Sequence, residues 1–139
     1  MFSFTEDKPL YLQIAEQLED AIFIGAYKEE TQIPSTTELS VSLQINPATV
    51  LKGMNILVAD NIIYKKRGLG MFVCTGAIER IRHKRQEKFY DSYVLPLLDE
   101  ANKLGLTENE IINFIEKRGD KEWALKLQIW QRNTIKTPC

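Results

Sequence analysis

Apolar residues recur at helical spacing early in the chain: Leu10, Ile14, Leu18 and Ile22 share one face of "DKPLYLQIAEQLEDAIFIG". Such a repeat, with polar residues between, predicts a helix that buries one stripe. Asp7 is placed to cap it, Pro9 suits its first turn and Gly25 its C-terminal stop. After a loop, "AYKEETQIP", the stretch "PSTTELSVSLQI" carries Ser35 and Glu38 at the spacing of a reciprocal capping box, with Leu39 and Leu43 pointing inward. The pattern breaks at "QIN" and restarts at once, Asn46 serving as cap and Pro47 as first helical residue. Val50, Met54 and Leu57 then recur at i, i+4 and i+7. Two helices so closely spaced predict a helix-turn-helix.

The period changes in "IIYKKRGLGMFVC", where β-branched and aromatic residues flank a glycine-bearing turn. That predicts two short antiparallel strands. A helix, a helix-turn-helix and a basic hairpin in this order make a winged helix. Beyond Gly76 the chain turns helical again, and Ile78, Ile81, Phe89, Tyr93, Leu97, Ala101 and Leu104 keep roughly one face apolar. Pro96 has no amide for the Ser92 carbonyl and crowds it, so it should kink or split this helix. Thr107 and Glu110 form a second capping box, before a helix with Ile111, Phe114 and Ile115 as its stripe. Trp123, Leu127 and Trp130 repeat at i, i+4 and i+7 in the tail. The expected fold class is α+β, mostly α: a winged helix-turn-helix over residues 1–76, then a short α-helical tail over residues 77–139.

Composition narrows the classes. With 139 residues, 44% hydrophobic and 27% charged, the chain supports one compact core plus a short appendage, and disorder throughout is excluded. No run approaches the roughly 18 to 20 apolar residues that cross a bilayer. The start, "MFSFTEDKPL", lacks a basic segment followed by an apolar one, so a cytoplasmic protein without a membrane partner is expected. Cys74 and Cys139 lie far apart and suggest neither a disulfide framework nor metal-ligand spacing. The single histidine, His83, stands inside "RIRHKRQEK" as a solvated helix residue. One histidine, two isolated cysteines and no strand-to-helix glycine loop leave no convergent catalytic set, so neither an enzyme nor a cofactor is expected.

Net charge is −1, which argues against a nucleic-acid partner until it is divided along the chain. Residues 1–63 carry 3 Lys/Arg against 9 Asp/Glu, residues 64–88 carry 8 against 2, and residues 89–139 carry 7 against 8. The positive charge is therefore concentrated, as a phosphate-facing patch requires. The second helix of a helix-turn-helix enters the major groove and offers its first turns to base edges. Asn46, Ala48, Thr49 and Lys52 are the groove-facing candidates, and Lys65, Lys66 and Arg67 are placed for a neighbouring groove or the backbone. Winged helices also serve as protein-interaction modules, and that alternative stays open at this level. So do two readings of Arg80, Arg82, Lys84, Arg85 and Lys88: a strip that meets flanking phosphates, or a solvated face with partners such as Glu87.

Four segments in order across residues 9–73, "PLYLQIAEQLEDAIFIGAY", "IPSTTELS", "INPATV" and "GLGMFV", resemble the DNA-binding domain of the GntR family of bacterial transcriptional regulators. Pro34, Ser35, Glu38 and Leu39 match the family's second helix, and Thr37 stands where an arginine usually contacts DNA. Ile45, Asn46, Thr49 and Val50 are compatible with the recognition-helix pattern, while Pro47 and Leu51 replace two arginines. "NPATV" is similar to the YtrA subfamily, where a basic residue, here Lys52, follows one position later. Gly68, Gly70, Phe72 and Val73 match the wing.

The resemblance implies a repressor that binds a pseudo-palindromic operator in double-stranded DNA through a recognition helix (about 47–59) and a wing (about 64–72). It adds Ser35, Thr37, Gly68 and Gly70 to the candidate contacts. Most GntR relatives carry a large effector domain, but only 63 residues follow position 76 here. The subfamily resemblance implies instead a helical tail that makes a homodimer, with Phe89, Tyr93, Leu97, Leu104, Ile111, Phe114 and Ile115 at the interface. A metabolite-sensing regulator using the aromatic tail remains an alternative, its effector unspecified.

Overall fold

The computed structural model describes residues 2–117. Its elements are α1 (Leu10–Phe23), β1 (Gln32–Ile33), α2 (Thr36–Leu43), α3 (Pro47–Ala59), β2 (Ile63–Lys66), β3 (Gly70–Val73), α4 (Ala77–Phe89), a π-helical turn (Tyr90–Val94), α5 (Leu95–Lys103) and α6 (Glu108–Lys117). The chain divides into two compact units between Lys88 and Phe89. The first unit holds three helices and a small antiparallel sheet, the winged-helix order expected from the sequence, followed by α4.

Pro9, not Asp7, stands at the N-cap of α1, and no side chain caps it. A proline pushes its predecessor toward extended backbone, so the helix cannot begin before Pro9 and Asp7 is left too far out. The Asp7 carboxylate accepts instead from the Thr5 hydroxyl. Gln13, buried, fastens the incoming segment: its amide donates to the carbonyls of Thr5 and Lys8, both at 2.8 Å, and its oxygen accepts from the Thr5 amide at 2.8 Å. At the other end Gly25, with φ +87°, stops the helix as expected.

The loop assigned to "AYKEETQIP" contains a strand. β1 pairs antiparallel with β3, Gln32 opposite Phe72 and Ile33 opposite Met71, and β3 pairs with β2 on its other side. Two residues are too few to show an alternating pattern. Ser35 caps α2 by accepting from the Glu38 amide at 3.1 Å, but the return bond from the Glu38 carboxylate is absent from the described hydrogen bonds. Gln44, left-handed at φ 56°, ends α2, and the Ser40 hydroxyl bonds the Ile45 carbonyl at 2.7 Å across the turn. Asn46 then caps α3, accepting from the Ala48 amide at 2.9 Å.

Ile14, Leu18 and Ile22 of α1 meet Val50, Met54 and Leu57 of α3 in the core, with Ile62, Ile63 and Val73 from the sheet side. Ala77 and Ile81 of α4 are also fully buried in this cluster. The compact unit therefore runs past Gly76, where the winged-helix motifs end. Gly53 lies where α3 crosses α1: a Cβ there would stand 2.7 Å from the Tyr11 carbonyl oxygen.

In the second unit Pro96 is accommodated by the π-helical turn before it, where the Leu95 amide donates to Tyr90. Widening one turn relieves the missing donor and the crowded carbonyl. Thr107 and Glu110 form both halves of their capping box, at 2.8 and 3.3 Å. Among the described residues of this unit, Ala101 and Ile111 are the buried apolar side chains. The stripe of Trp123, Leu127 and Trp130 lies outside the described residues.

Candidate nucleic-acid interface

The helical period of α3 separates its two faces. Val50, Met54 and Leu57 are at most 1% exposed, whereas Asn46, Ala48 and Lys52 are exposed and Thr49 is half-buried. Asn46 and Pro47 start the helix together, and its first-turn amides are already satisfied: that of Ala48 by the Asn46 side chain, and those of Thr49 and Val50 by the Asn46 carbonyl, so this turn offers side chains to solvent. Asn46 spends its carboxamide oxygen on the cap. Lys52 lies over the Tyr11 ring, 4.0 Å from its centroid, an arrangement worth about 0.5 to 1 kcal/mol at an exposed site. Tyr11 was not among the expected site residues; only the α1–α3 crossing brings it there.

At the start of α2, the Ser35 hydroxyl is occupied by the Glu38 amide, and Thr37 is exposed. The neighbouring Thr36 hydroxyl faces the sulfur of Met54 at 3.3 Å, which ties α2 to the buried side of α3. Helix α2 thus supports α3 from behind.

The wing is a hairpin of β2 and β3 with Arg67, Gly68 and Leu69 at its tip. The Leu69 amide returns to the Lys66 carbonyl at 2.9 Å, and Gly68 and Gly70 take φ +79° and +114°, values that a side chain disfavours. Tyr64 and Phe72 face each other across the strands with centroids 6.0 Å apart, and Lys66 lies 5.4 Å from the Phe72 centroid. Lys65, Lys66 and Arg67 are exposed, and none takes part in a salt bridge among the described residues. Gln32 of β1 donates to the Leu69 carbonyl at 2.7 Å, a brace that the sequence reading missed.

The basic run on α4 behaves differently. Lys84 pairs with Glu19 at 2.5 Å and Asp60 at 3.0 Å, and Arg85 with Glu19 at 3.4 Å and Asp20 at 3.3 Å. Arg80 donates to the carbonyls of Asn61 and Thr75, at 2.9 and 3.0 Å, and Arg82 pairs with Glu79. His83 faces Glu87 at 3.5 Å. Burial opposes charge on Lys84, but its hydrogen bonds to Glu19 and Asp60 outweigh that and raise its pKa. Glu29 caps the start of α4, accepting from the amides of Gly76 and Ile78 at 3.0 and 3.2 Å, and these bonds hold its carboxyl below the usual range. Arg80, Arg82, Lys84 and Arg85 are thus partnered, mainly by α1 and the end of α3 and not by Glu87, while Lys88 is exposed with no salt bridge among the described residues. Burial pushes the Cys74 thiol up, away from reactive thiolate character. No cluster of metal-ligating side chains occurs among the described residues.

Comparison with known proteins agrees with this geometry. Residues 10–73 match the bacterial regulatory proteins of the gntR family. The HTH-type transcriptional regulator YhcF of Bacillus subtilis is 27% identical over 119 residues, spanning 81% of this chain and 92% of that protein. The transcriptional repressor YtrA of the same organism is 33% identical over 69 residues, half of this chain and 53% of its own length. Other curated repressors match over 70 or 72 residues, and of these the chain spans only 29% or 30%. A crystal structure of a GntR-family regulator from Bacteroides thetaiotaomicron superposes with a TM-score of 0.63 at 36% identity, covering 79% of this chain and 99% of that one. A winged helix whose recognition face and wing are both open, joined to motifs in the family's order and a relative matched along nearly its whole length, places this chain in the GntR family of bacterial regulatory proteins.

Proposed function

We propose that this GntR-family regulator is a repressor that binds a pseudo-palindromic operator in double-stranded DNA as a homodimer, in the cytoplasm and without enzymatic activity. The observation that carries the reading is the pairing of two open surfaces in the first unit. One is the exposed first turn of α3, with Ala48, Thr49 and Lys52; the other is the wing, with Lys65, Lys66 and Arg67 free of acidic partners among the described residues. Thr49 and Lys52 are assigned to base edges, Asn46 to phosphate, and the wing cations to the flanking backbone and groove. Ser35 and Thr37 sit at the N-terminus of α2, whose free amides suit a phosphate. Gly68 and Gly70 shape the wing. No helix of the described residues is long and apolar enough to span a membrane.

The homodimer rests on a separate observation. In the second unit Phe89, Tyr93, Leu97, Leu104, Phe114 and Ile115 are all between 48% and 68% exposed, although they recur at helical spacing. Ile111, the remaining expected interface residue, is already buried within the chain. Apolar stripes left open on short helices are closed most economically by the same stripes on a second copy. A two-fold pair also presents two recognition helices to two half-sites.

The test is selection of binding duplexes from a random library by the purified full chain, followed by titration of the selected duplex and of its isolated half-site. Repression by this mechanism requires a symmetric selected sequence, two chains per duplex and weak half-site binding. An asymmetric site bound by one chain would overturn the homodimer, and failure to enrich any sequence would overturn operator binding.

A further inference from the structure

The tip of the wing carries a residue that electrostatics does not explain. Leu69 is 58% exposed, the one apolar side chain at a turn otherwise made of Lys65, Lys66, Arg67 and two glycines. Leaving a leucine in water rather than burying it is unfavourable, so its exposure is a standing cost in the free protein. Nothing at the tip hides it. A Cβ on Gly68 would meet no atom within 4 Å, so the turn is slender and bare on that side.

The backbone that carries Leu69 is nevertheless held firmly. The Leu69 amide bonds the Lys66 carbonyl at 2.9 Å and the Leu69 carbonyl accepts from Gln32 at 2.7 Å. Gly70 allows this brace: a Cβ there would stand 2.8 Å from the Gln32 nitrogen that donates it. The chain thus combines a β1 side chain, a glycine with φ +114° and a tight turn to fix one exposed leucine.

We propose that Leu69 is an apolar wedge that enters the minor groove of duplex DNA beside the wing cations, and that Gln32 is its positioning residue. The inference rests on the operator-binding reading above and adds to it a specificity-determining contact. Apolar wedges at a minor groove partially unstack a base step, which favours flexible pyrimidine–purine steps without any hydrogen bond to a base. The charge around Leu69 selects this partner over an apolar protein surface: three cations next to it would have to be desolvated against a protein, whereas phosphates flank a groove on both sides. The occupant is therefore a minor groove, with the leucine between the strands and Lys65, Lys66 and Arg67 on their backbones.

Full-length protein, Leu69→Ala, Gln32→Ala, the double variant and Lys66→Ala are titrated against the selected duplex and random DNA across a salt series. A 2-aminopurine placed at the step facing the wing reports unstacking. Leu69→Ala is expected to lose roughly tenfold in affinity for the selected duplex, to leave the salt slope unchanged and to abolish the fluorescence rise. Lys66→Ala, which removes one cation from each chain of the dimer, is expected instead to flatten the slope by about two units while the fluorescence rise persists. Gln32→Ala should reproduce the Leu69→Ala loss with an unchanged melting temperature, and the double variant should bind no worse than Leu69→Ala alone. Additive losses would reduce Gln32 to an independent contact and overturn its positioning role. If Leu69→Ala binds like the parent while Lys66→Ala weakens binding, the wedge is refuted and the wing's phosphate role stands. If neither variant changes binding, the operator-binding reading of the wing fails with it.

Discussion

Replacing Gly53 by alanine sets two effects of opposite sign against each other in the middle of α3. Alanine is the better helix former by about 0.8 to 1 kcal/mol, so on local grounds the substitution stabilises. The added methyl, however, stands 2.7 Å from the Tyr11 carbonyl oxygen and 3.2 Å from two carbons of Ile14. Carbon–oxygen contacts of this kind settle near 3.3 to 3.6 Å, so α1 must retreat by roughly half an ångström or more. The obstructing oxygen belongs to helix backbone and cannot swing aside as a side chain would. Overpacking of this type costs about 1 to 3 kcal/mol, and here the retreat also loosens Ile14, which is fully buried. The clash outweighs the propensity gain, giving a net loss of about 1 kcal/mol and a fall in melting temperature of roughly 4 to 8 °C for a unit of this size. The assay is a thermal and urea melt beside Asn55→Ala, which sits on the exposed face of the same helix and reports propensity alone. Because Lys52 rests on Tyr11, the displaced crossing also re-aims the recognition face, and operator affinity should fall with stability. A Gly53→Ala protein as stable as Asn55→Ala would refute the close-approach argument.

Three further outcomes follow from the ion pairs, a cap and the tail. Glu19, with its side chain 11% exposed, faces two cations that are 31% and 41% exposed, so Glu19→Ala should cost about 1 to 2 kcal/mol, below the loss for a fully buried pair, as a urea melt would show. The Glu29 carboxyl is held below its ordinary range by the amides of Gly76 and Ile78; its contribution is present above that ordinary range and lost as pH falls through the lowered value. The melting-temperature gap between the parent and Glu29→Gln should therefore be open near neutral pH and close on acidification, and a gap independent of pH would show that the cap does not depend on charge. Phe114→Asp with Ile115→Asp should give a monomer by sedimentation that binds the full operator no better than a half-site; a double variant that stays dimeric would remove these residues from the interface.

What the sequence made legible is what a regular period carries. Val50, Met54 and Leu57 announce the buried face of α3 because their spacing tolerates no other helix orientation, and the Asn46–Pro47 start fixes where that face begins. Strand β1 was invisible because its two residues take meaning only from Phe72 and Met71, some forty residues away. Gln32 as a brace was hidden for the same reason. Asp7 looked like a cap because its residue type suits one, but the backbone constraint of Pro9 decided the helix start. Gly53 interrupts no pattern, and only the crossing of α1 and α3 reveals why a side chain does not fit there. The capping box at Thr107 and Glu110 formed in full, being a local device whose partners lie within one turn.

The charge pattern shows how a correct local reading can carry two meanings, and it yields a number. The segment of residues 64–88 holds eight cations, which looks like one phosphate-facing strip. Four of the five cations in its second half are instead engaged: Lys84 and Arg85 by Glu19, Asp20 and Asp60 from far along the chain, Arg80 by the carbonyls of Asn61 and Thr75, and Arg82 by Glu79. The acidic first segment and the basic α4 thus complement each other inside one folded unit, and the cations that the recognition helix and the wing offer to DNA are Lys52, Lys65, Lys66 and Arg67. A two-fold dimer then offers about six to eight phosphate contacts, and with about 0.9 counterion released per contact the plot of log affinity against log salt should slope at about −5 to −7. Were Arg80, Arg82, Lys84 and Arg85 to leave their partners for phosphate, the same dimer would slope near −13 or steeper. A shallow slope assigns α4 to holding the unit together; a steep one would mean that its ion pairs are exchanged for DNA on binding, and Lys84→Gln would then flatten the slope as Lys66→Gln does.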